Sequence, residues 1–383
     1  MSEIICTGLD GANPLHVLAA LGLLQIGQTV DEATTLHWRR GQSWFPVLRS
    51  TDEAAIEPGA IAQALNRMAA AGERDKIQET RLKALNAERK KRLEQGKKER
   101  AVAKEAAKQL PTDERKQALQ LFEEELDRAL NALDHAITAA QEQVNDALGA
   151  GVAHLGDIIG VAPGIFRRKA EQASRGWING LVLGQSVHAG LIADAMASQA
   201  CDAVLDGKGV VQNTPLSFSN GASGQCLLKA FRTLAGIVTA EQVTGSLVGN
   251  ASRYMPGETP LNWDPADQRD YALAWASPED KQLNPKQTDV AANALALIGL
   301  SLLTACPVAH RLEPIAWRQR GPEQGFSWPL WETPLSAPAV RSLLVSVPDT
   351  DDDRRAMGIA GVLTAARINP TGKRNFFAPA RPT

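Results

Sequence analysis

The residues best spaced for chemistry are Asp264, Asp267 and Asp270, three carboxylates at three-residue intervals in NWDPADQRDY (262–271). Clustered carboxylates of this kind hold divalent cations in metal-dependent nucleases. The same residues also spell a helix start. Asp264-Pro265 supplies an N-cap with proline in the first turn, and Asp267 then sits where the helix dipole favours an acid. The cap reading needs fewer assumptions, so no metal is assigned.

A second stretch, GKGVVQNTPLSFSNGASGQCLLKAFRTL (207–234), reads as a short strand at 214–218 and a breaker-rich turn at 219–224. A helix follows from Gln225, carried by Leu227, Leu228, Phe231, Leu234 and Ala235. Backbone N–H groups of such a turn, with a helix N-terminus behind them, suit a phosphate. Asn220, Ser223 and Lys229 are the polar side chains counted there as nucleic-acid contacts. A plain strand-to-helix connection is the simpler account, since neither a P-loop nor a dinucleotide fingerprint is present. Ser/His/Asp, Cys/His and HExxH arrangements are absent from the sequence. His188 and Asp194 are close in sequence but lie in an apolar stretch. No catalytic residue and no cofactor is assigned.

Cations gather in patches. Arg39 and Arg40 stand with Trp38 and Trp44 in a predicted hairpin. Lys90, Lys91, Arg92, Lys97 and Lys98 crowd one helical arm, with Arg100 beside them. Arg167, Arg168, Lys169 and Arg175 lie in a glycine-rich stretch near Trp177, and Lys373 and Arg374 tip a terminal hairpin with Phe376 and Phe377. Such clusters suit a sugar-phosphate backbone. Ordinary hairpin pairs, a charge-matched helix pair and a solvated return loop are the structural alternatives.

The elements that must position these groups follow from the pattern. Residues 4–9 read as a first strand, and Asn13-Pro14 caps a helix carried by Leu15, Leu18, Leu21 and Leu24. Residues 36–40 and 44–48 read as a hairpin around Gly41-Gln42. From residue 60 to 148 glycine and proline nearly vanish, and Pro111 divides two helical arms, 73–110 and 112–148, each about 55 Å long. The first carries thirteen cations against seven acids, and the second three cations against nine acids. Opposite surpluses of this kind fix an antiparallel pairing. Leu119, Phe122, Leu126, Leu133, Ile137, Ala140 and Val144 mark the seam of the second arm. Further on, the pattern predicts helices near 192–205, 239–247 and 290–304, and strands at 314–318, 325–331 and 342–347. A short helix starts at Ala337-Pro338, Asp349 to Asp353 form an acidic loop, and a hairpin closes the chain over 358–378. The expected fold is α+β: an antiparallel-sheet core with helices, plus a long inserted antiparallel helical (coiled-coil) hairpin. Its parts are an N-terminal section (1–59), the hairpin insertion (60–148), a glycine-rich basic connector with a short helix (149–213), and the main core with its terminal β-hairpin (214–383).

Totals bound the partners. The 383 residues carry a formal net charge of −2, so any nucleic-acid site is a local patch. Four separated cysteines without a CxxC pair read as buried thiols in a reducing compartment. No apolar run reaches the roughly 18 residues of a membrane span, and the N-terminus lacks a signal-peptide pattern, so a cytoplasmic protein without a membrane partner is expected.

Several phrases together resemble one family. LDGANPLHVLAALGLL (9–24) resembles the opening of CRISPR-associated proteins of the type I-U/I-G systems. TPLSFSNGASGQCLLKAFRTL (214–234), WDPADQRDYAL (263–273), FSWPLWETPLSAPAVRSLL (326–344) and the basic terminal hairpin are similar to later landmarks of that group. The resemblance spans about two thirds of the chain and leaves out the helical hairpin. It implies a non-catalytic subunit of a Cascade-like interference complex, similar to its large subunit. Implied partners are crRNA, target DNA, other Cascade subunits and the Cas3 helicase-nuclease, with a contribution to PAM or DNA recognition in antiviral defence. A metal-dependent nuclease or nucleotide-handling enzyme, and a coiled-coil assembly protein without nucleic-acid contact, are the alternatives.

Overall fold

A computed structural model describes residues 2–70, 74–109, 111–148, 163–167, 195, 205, 209, 212, 214–218, 234–251, 261–265, 288–320, 323–369 and 375–383. The chain forms two compact units, one made of Met1–Gly72 and Gly149–Thr383, the other of Glu73–Leu148. The fold is α+β, with antiparallel sheets and a long helix pair.

The first unit opens with β1 (Ser2–Ile5), α1 (Pro14–Val30), β2 (Thr35–Arg40) and β3 (Trp44–Ser50), whose strands form an antiparallel sheet in the order β1-β3-β2. The first strand is shorter than the sequence predicts. Cys6 to Leu9 turn instead, and the Gly8 N–H donates to the Leu247 carbonyl at 2.8 Å. Asn13 caps α1 as expected, accepting the Leu15 N–H at 3.0 Å, with Pro14 behind it where its missing N–H costs nothing. After β3 comes α2 (Pro58–Ala70), which packs on α5 (Ala240–Val248), a helix closed by a Thr239–Gln242 capping box. Residues 60–72 therefore belong to this unit.

The core forms where α1 crosses α6 (Val290–Gly299). Nearly all of α1 and all of α6 are buried, because both are apolar around most of their circumference. The backbones touch at two glycines: a Cβ on Gly22 would lie 1.9 Å from the Leu295 carbonyl oxygen, and one on Gly299 would lie 2.1 Å from that of Leu18. Only the absence of a side chain permits this approach.

A second antiparallel sheet runs β10-β8-β7-β6, with β9 also pairing β8. Its strands are β6 (Trp317–Arg320), β7 (Glu323–Trp331), β8 (Ile359–Ile368), β9 (Phe376–Phe377) and β10 (Arg381–Pro382). Between α6 and β6 lies a hairpin, β4 (Ala305–Val308) with β5 (Arg311–Pro314), that the sequence reading did not separate. The strand predicted over 314–318 is two strand ends joined at Ala316, whose φ of 65° turns the chain. The strand predicted over 342–347 is instead the end of α7 (Ala337–Val345): Leu343 and Leu344 are its buried face rather than a strand's alternating residues. The acidic residues after Thr350 form a short exposed helix, α8 (Asp351–Ala356), capped by that threonine. The predicted helix at 192–205 lies almost wholly outside the described residues. Among those residues, no helix is long and apolar enough to cross a membrane.

The second unit is the predicted hairpin, α3 (Arg74–Ala106) and α4 (Thr112–Leu148). Its arms run antiparallel in a fixed register. Arg89 forks onto Asp134, with Nη2 to Oδ2 at 3.0 Å. Eleven residues further along α3, Arg100 meets Glu123, eleven residues back along α4. Between these pairs Leu126 fills the hole at Gly96, where a Cβ would lie 2.6 Å from the leucine's Cδ1.

Candidate nucleic-acid interface

Along α3 the less exposed positions include Leu82, Leu85, Arg89, Arg92, Gly96, Glu99 and Ala103, a three-four alternation that marks a coiled-coil seam. On α4 the half-buried or buried residues Leu119, Phe122, Leu126, Leu133, Ile137 and Ala140 follow the predicted seam. Val144 lies outside the residues whose side chains are described.

This seam sorts the basic cluster of the first arm. Arg89 and Arg100 are bound to acids of the opposite arm. Arg92 reaches Glu99 at 3.3 Å, a contact within its own helix. The lysines lie elsewhere. Lys83, Lys90, Lys97 and Lys104 each follow a seam position by one residue, recur every seven residues and are all exposed. Supercoiling holds the seam at 3.5 residues per turn, so residues seven apart stay on one side instead of drifting about 20° per repeat. The four ammonium groups make a line with steps of about 10.5 Å and a length of about 32 Å. Lys91 and Lys98 widen it. Lys97 alone of these six makes an ion pair among the described residues, with Glu94 at 3.5 Å, and both partners are largely exposed. Such a contact holds a lysine weakly.

In the first unit, five phrases far apart in sequence converge. Asn13, while capping α1, donates from Nδ2 to Asp264 Oδ1 at 2.9 Å. Trp263 Nε1–H donates to the Leu216 carbonyl at 2.9 Å, and Trp328 Nε1–H to that of Gly11 at 2.8 Å. The Phe377 N–H reaches the Asn262 carbonyl at 3.4 Å, and Asn262 holds a φ of 61°, a left-handed conformation that asparagine tolerates. Aromatic rings link these points. Trp328 stacks on Phe326 at 4.9 Å, Phe326 leans on Phe377 at 6.2 Å, and Phe377 meets Phe218 edge-on at 4.6 Å. The series ends at Arg367, whose guanidinium carbon lies 5.7 Å over the Phe218 ring.

The predicted strand at 214–218 is a turn. The Ser217 N–H donates to the Thr214 carbonyl at 3.0 Å, and the Leu216 N–H to the Thr214 hydroxyl at 3.3 Å. Pro215 holds the φ that the second position of such a turn requires, so proline and threonine favour a bend here over pairing. The turn still buries Leu216 and Phe218 completely.

Of the other sequence candidates, Arg39 is drawn into the β1-β3-β2 sheet. It shares the Glu3 carboxylate with Arg49, at 2.6 and 2.7 Å, and the two guanidinium groups, Arg49 foremost, hold that acid below its usual range. Arg40 is exposed at the end of β2, with no ion pair among the described residues. On the outer face of that sheet His37 is buried, and its Nδ1 has no hydrogen-bond partner. Desolvation, reinforced by Arg49, lowers its pKa. Arg167 is exposed in a helical stretch at 163–167. Arg168, Lys169, Arg175, Asn220, Ser223, Lys229, Lys373 and Arg374 lie outside the described residues.

Asp264 is 1% exposed and bonded to Asn13, which accounts for it as a brace between two segments. Asp267 and Asp270 lie outside the described residues. Among the described residues, no three His, Cys, Asp or Glu side chains gather as a metal would require. Cys6 is fully buried, and burial pushes its thiol up to about 12, so it is inert at neutral pH.

Sequence reasoning missed two things. One is the line of lysines, which reads along the sequence as a cluster although its seven-residue spacing (76, 83, 90, 97, 104) is countable there. The other is the position of Arg367 over Phe218, a ring from a distant segment. No family model matches the chain, and no curated protein matches it.

Proposed function

We propose that the protein is a non-catalytic, nucleic-acid-binding subunit of a CRISPR interference complex, gripping the sugar-phosphate backbone through the lysine line of α3. The observation that carries this reading is the division of labour within α3: arginines at or beside the seam pair with acids of the hairpin, while Lys83, Lys90, Lys97 and Lys104 stand exposed at seven-residue intervals. A regular row of ammonium groups about 32 Å long suits a repeating polyanion and carries no base-reading geometry. That division fits a subunit whose partner RNA supplies the sequence readout by base pairing. The resemblance of the first unit's converging phrases to type I-U/I-G proteins supplies the setting: crRNA and target DNA as ligands, neighbouring Cascade subunits and Cas3 as protein partners, and the cytoplasm as the place.

The test is fluorescence anisotropy of labelled duplex and single-stranded DNA and RNA with the full chain. A variant with all four lysines changed to glutamine should bind at least tenfold more weakly while melting at the wild-type temperature. Equal affinity would refute the reading.

One observation favours a protein partner for the same arm. Val102 is 69% exposed and Leu121 66%, two residues beyond the Arg100–Glu123 pair on either strand of the hairpin, so they stand level with each other. If the arm serves assembly alone, aspartate at both positions will block complex formation, and the glutamine variant will keep its nucleic-acid affinity.

A further inference from the structure

Arg367 is a half-buried cation without an acceptor. It lies on β8, paired to Phe377 across β9, and its Nε is buried with no hydrogen-bond partner. Among the described residues its side chain has no ion pair and no hydrogen bond, and it sits over the ring of Phe218. Desolvation lowers its pKa. A guanidinium carries five donors and loses its proton to nothing in water, so burying one unpaired is costly. Side chains left in that state in a folded protein call for an explanation, and a ligand is one.

The surroundings say what kind. The guanidinium carbon lies 5.7 Å over the Phe218 ring, and a guanidinium placed on a ring keeps N–H donors that suit the oxygens of a phosphate or carboxylate. The rings beneath are fully buried, Phe218 at 0% and Phe377 at 1%, so they fix the fork in place and offer no surface for a base.

We infer that Arg367 is a phosphate-binding residue, its guanidinium set on the Phe218–Phe377–Phe326–Trp328 series to take one phosphate of a nucleic-acid strand. The choice of a nucleic-acid phosphate rests on the proposed function. The fork is a different site from the lysine line and belongs to the other unit. An aromatic floor makes the position exacting: lysine, a point charge, does not reproduce the two parallel bonds.

The experiment titrates the full chain, at fixed ionic strength, with inorganic pyrophosphate and with a 5′-phosphorylated ten-residue thymidine strand. Wild type should bind both saturably. Arg367→Met should weaken both by roughly tenfold or more, with a melting temperature equal to or above wild type, because it removes a buried unpaired charge. Arg367→Lys should fall between the two and guards against a methionine variant that fails to fold. If both variants bind pyrophosphate within twofold of wild type, or if wild type binds none, the inference is overturned. If pyrophosphate binding depends on Arg367 while the strand is not bound at all, the phosphate fork stands and the nucleic-acid reading falls. If the four-lysine variant loses the strand while Arg367→Met keeps both ligands, the reading stands and the fork falls.

Discussion

Replacing Gly22 by alanine tests the crossing on which the first unit is built. The added methyl would lie 1.9 Å from the Leu295 carbonyl oxygen and 2.7 Å from its carbon. Carbon and carbonyl oxygen ordinarily approach to about 3.3 Å, so α1 and α6 must part by roughly 1.4 Å. Both are backbone atoms of a buried helix, so no side-chain rotation relieves the contact. A gap of 0.5–1 Å already forfeits about a quarter to a half of the dispersion energy along an interface. Alanine returns about 1 kcal/mol through its better helix propensity. Overpacking of this kind costs about 1–3 kcal/mol against a side chain and more against backbone, so the clash wins and the net loss should be about 2–4 kcal/mol. All eight tryptophans belong to this unit, so their fluorescence in a urea titration reports it without the hairpin. Gly361→Ala is the control, since nothing lies within 4 Å of its added Cβ. A Gly22→Ala midpoint at or above wild type would refute the close crossing.

Three further outcomes follow from other parts of the chain. Asp31 accepts from the Ser50 hydroxyl at 2.5 Å, the Thr51 N–H at 2.6 Å and the Ala33 N–H at 2.9 Å, and these bonds, Ser50 foremost, depress its pKa. Its contribution is therefore present above the unfolded carboxylate value of about 3.9 and lost as pH falls below it; Asp31→Asn should cost about 2 kcal/mol at pH 7 and unfold with a shallower acid limb, by fluorescence melts. For His37 the folded pKa is depressed below about 6.5, so the unfolded chain takes up a proton first and stability should drop as pH falls from 7 toward 5. A His37→Phe variant should flatten that limb, and an unchanged limb would place its cause elsewhere. In the hairpin, Arg100→Glu should destabilise by less than about 1 kcal/mol, because Arg100 and Glu123 are 49% and 48% exposed, and adding Glu123→Arg should restore the helical melt seen by circular dichroism.

Much of the frame was legible because local rules and tertiary structure agree. Asn13-Pro14 announces a capped helix, and Asn13 caps it. The tip at Gly41-Gln42 sets the register in which Arg40 faces Trp44. On α4 the seam could be read from leucines at helical spacing. Its partner on α3 could not, because Arg89, Arg92, Gly96 and Glu99 occupy inner positions where apolar residues are expected. Only the opposite arm shows why they are tolerated: Arg89 finds Asp134, and Gly96 receives Leu126. Misreadings came from residues that two conformations share. Thr214-Pro215 starts a strand or a turn, and the bond from Ser217 to Thr214 chose the turn. Leu343 and Leu344 suit a strand by type but continue a helix by position. The Arg367 site was illegible for a different reason. Its parts come from residues 218, 326, 367 and 377, and no period along the chain links them.

The most direct test of the central claim is the salt dependence of duplex binding by the wild-type chain and by the variant with Lys83, Lys90, Lys97 and Lys104 changed to glutamine. Each phosphate contact contributes about −0.9 to the slope of log K against log salt on duplex DNA. Four lysines in contact predict a variant slope shallower by about 3 to 4, with melting unchanged. Superimposable slopes would show that the lysine line touches no phosphates and would contradict the account.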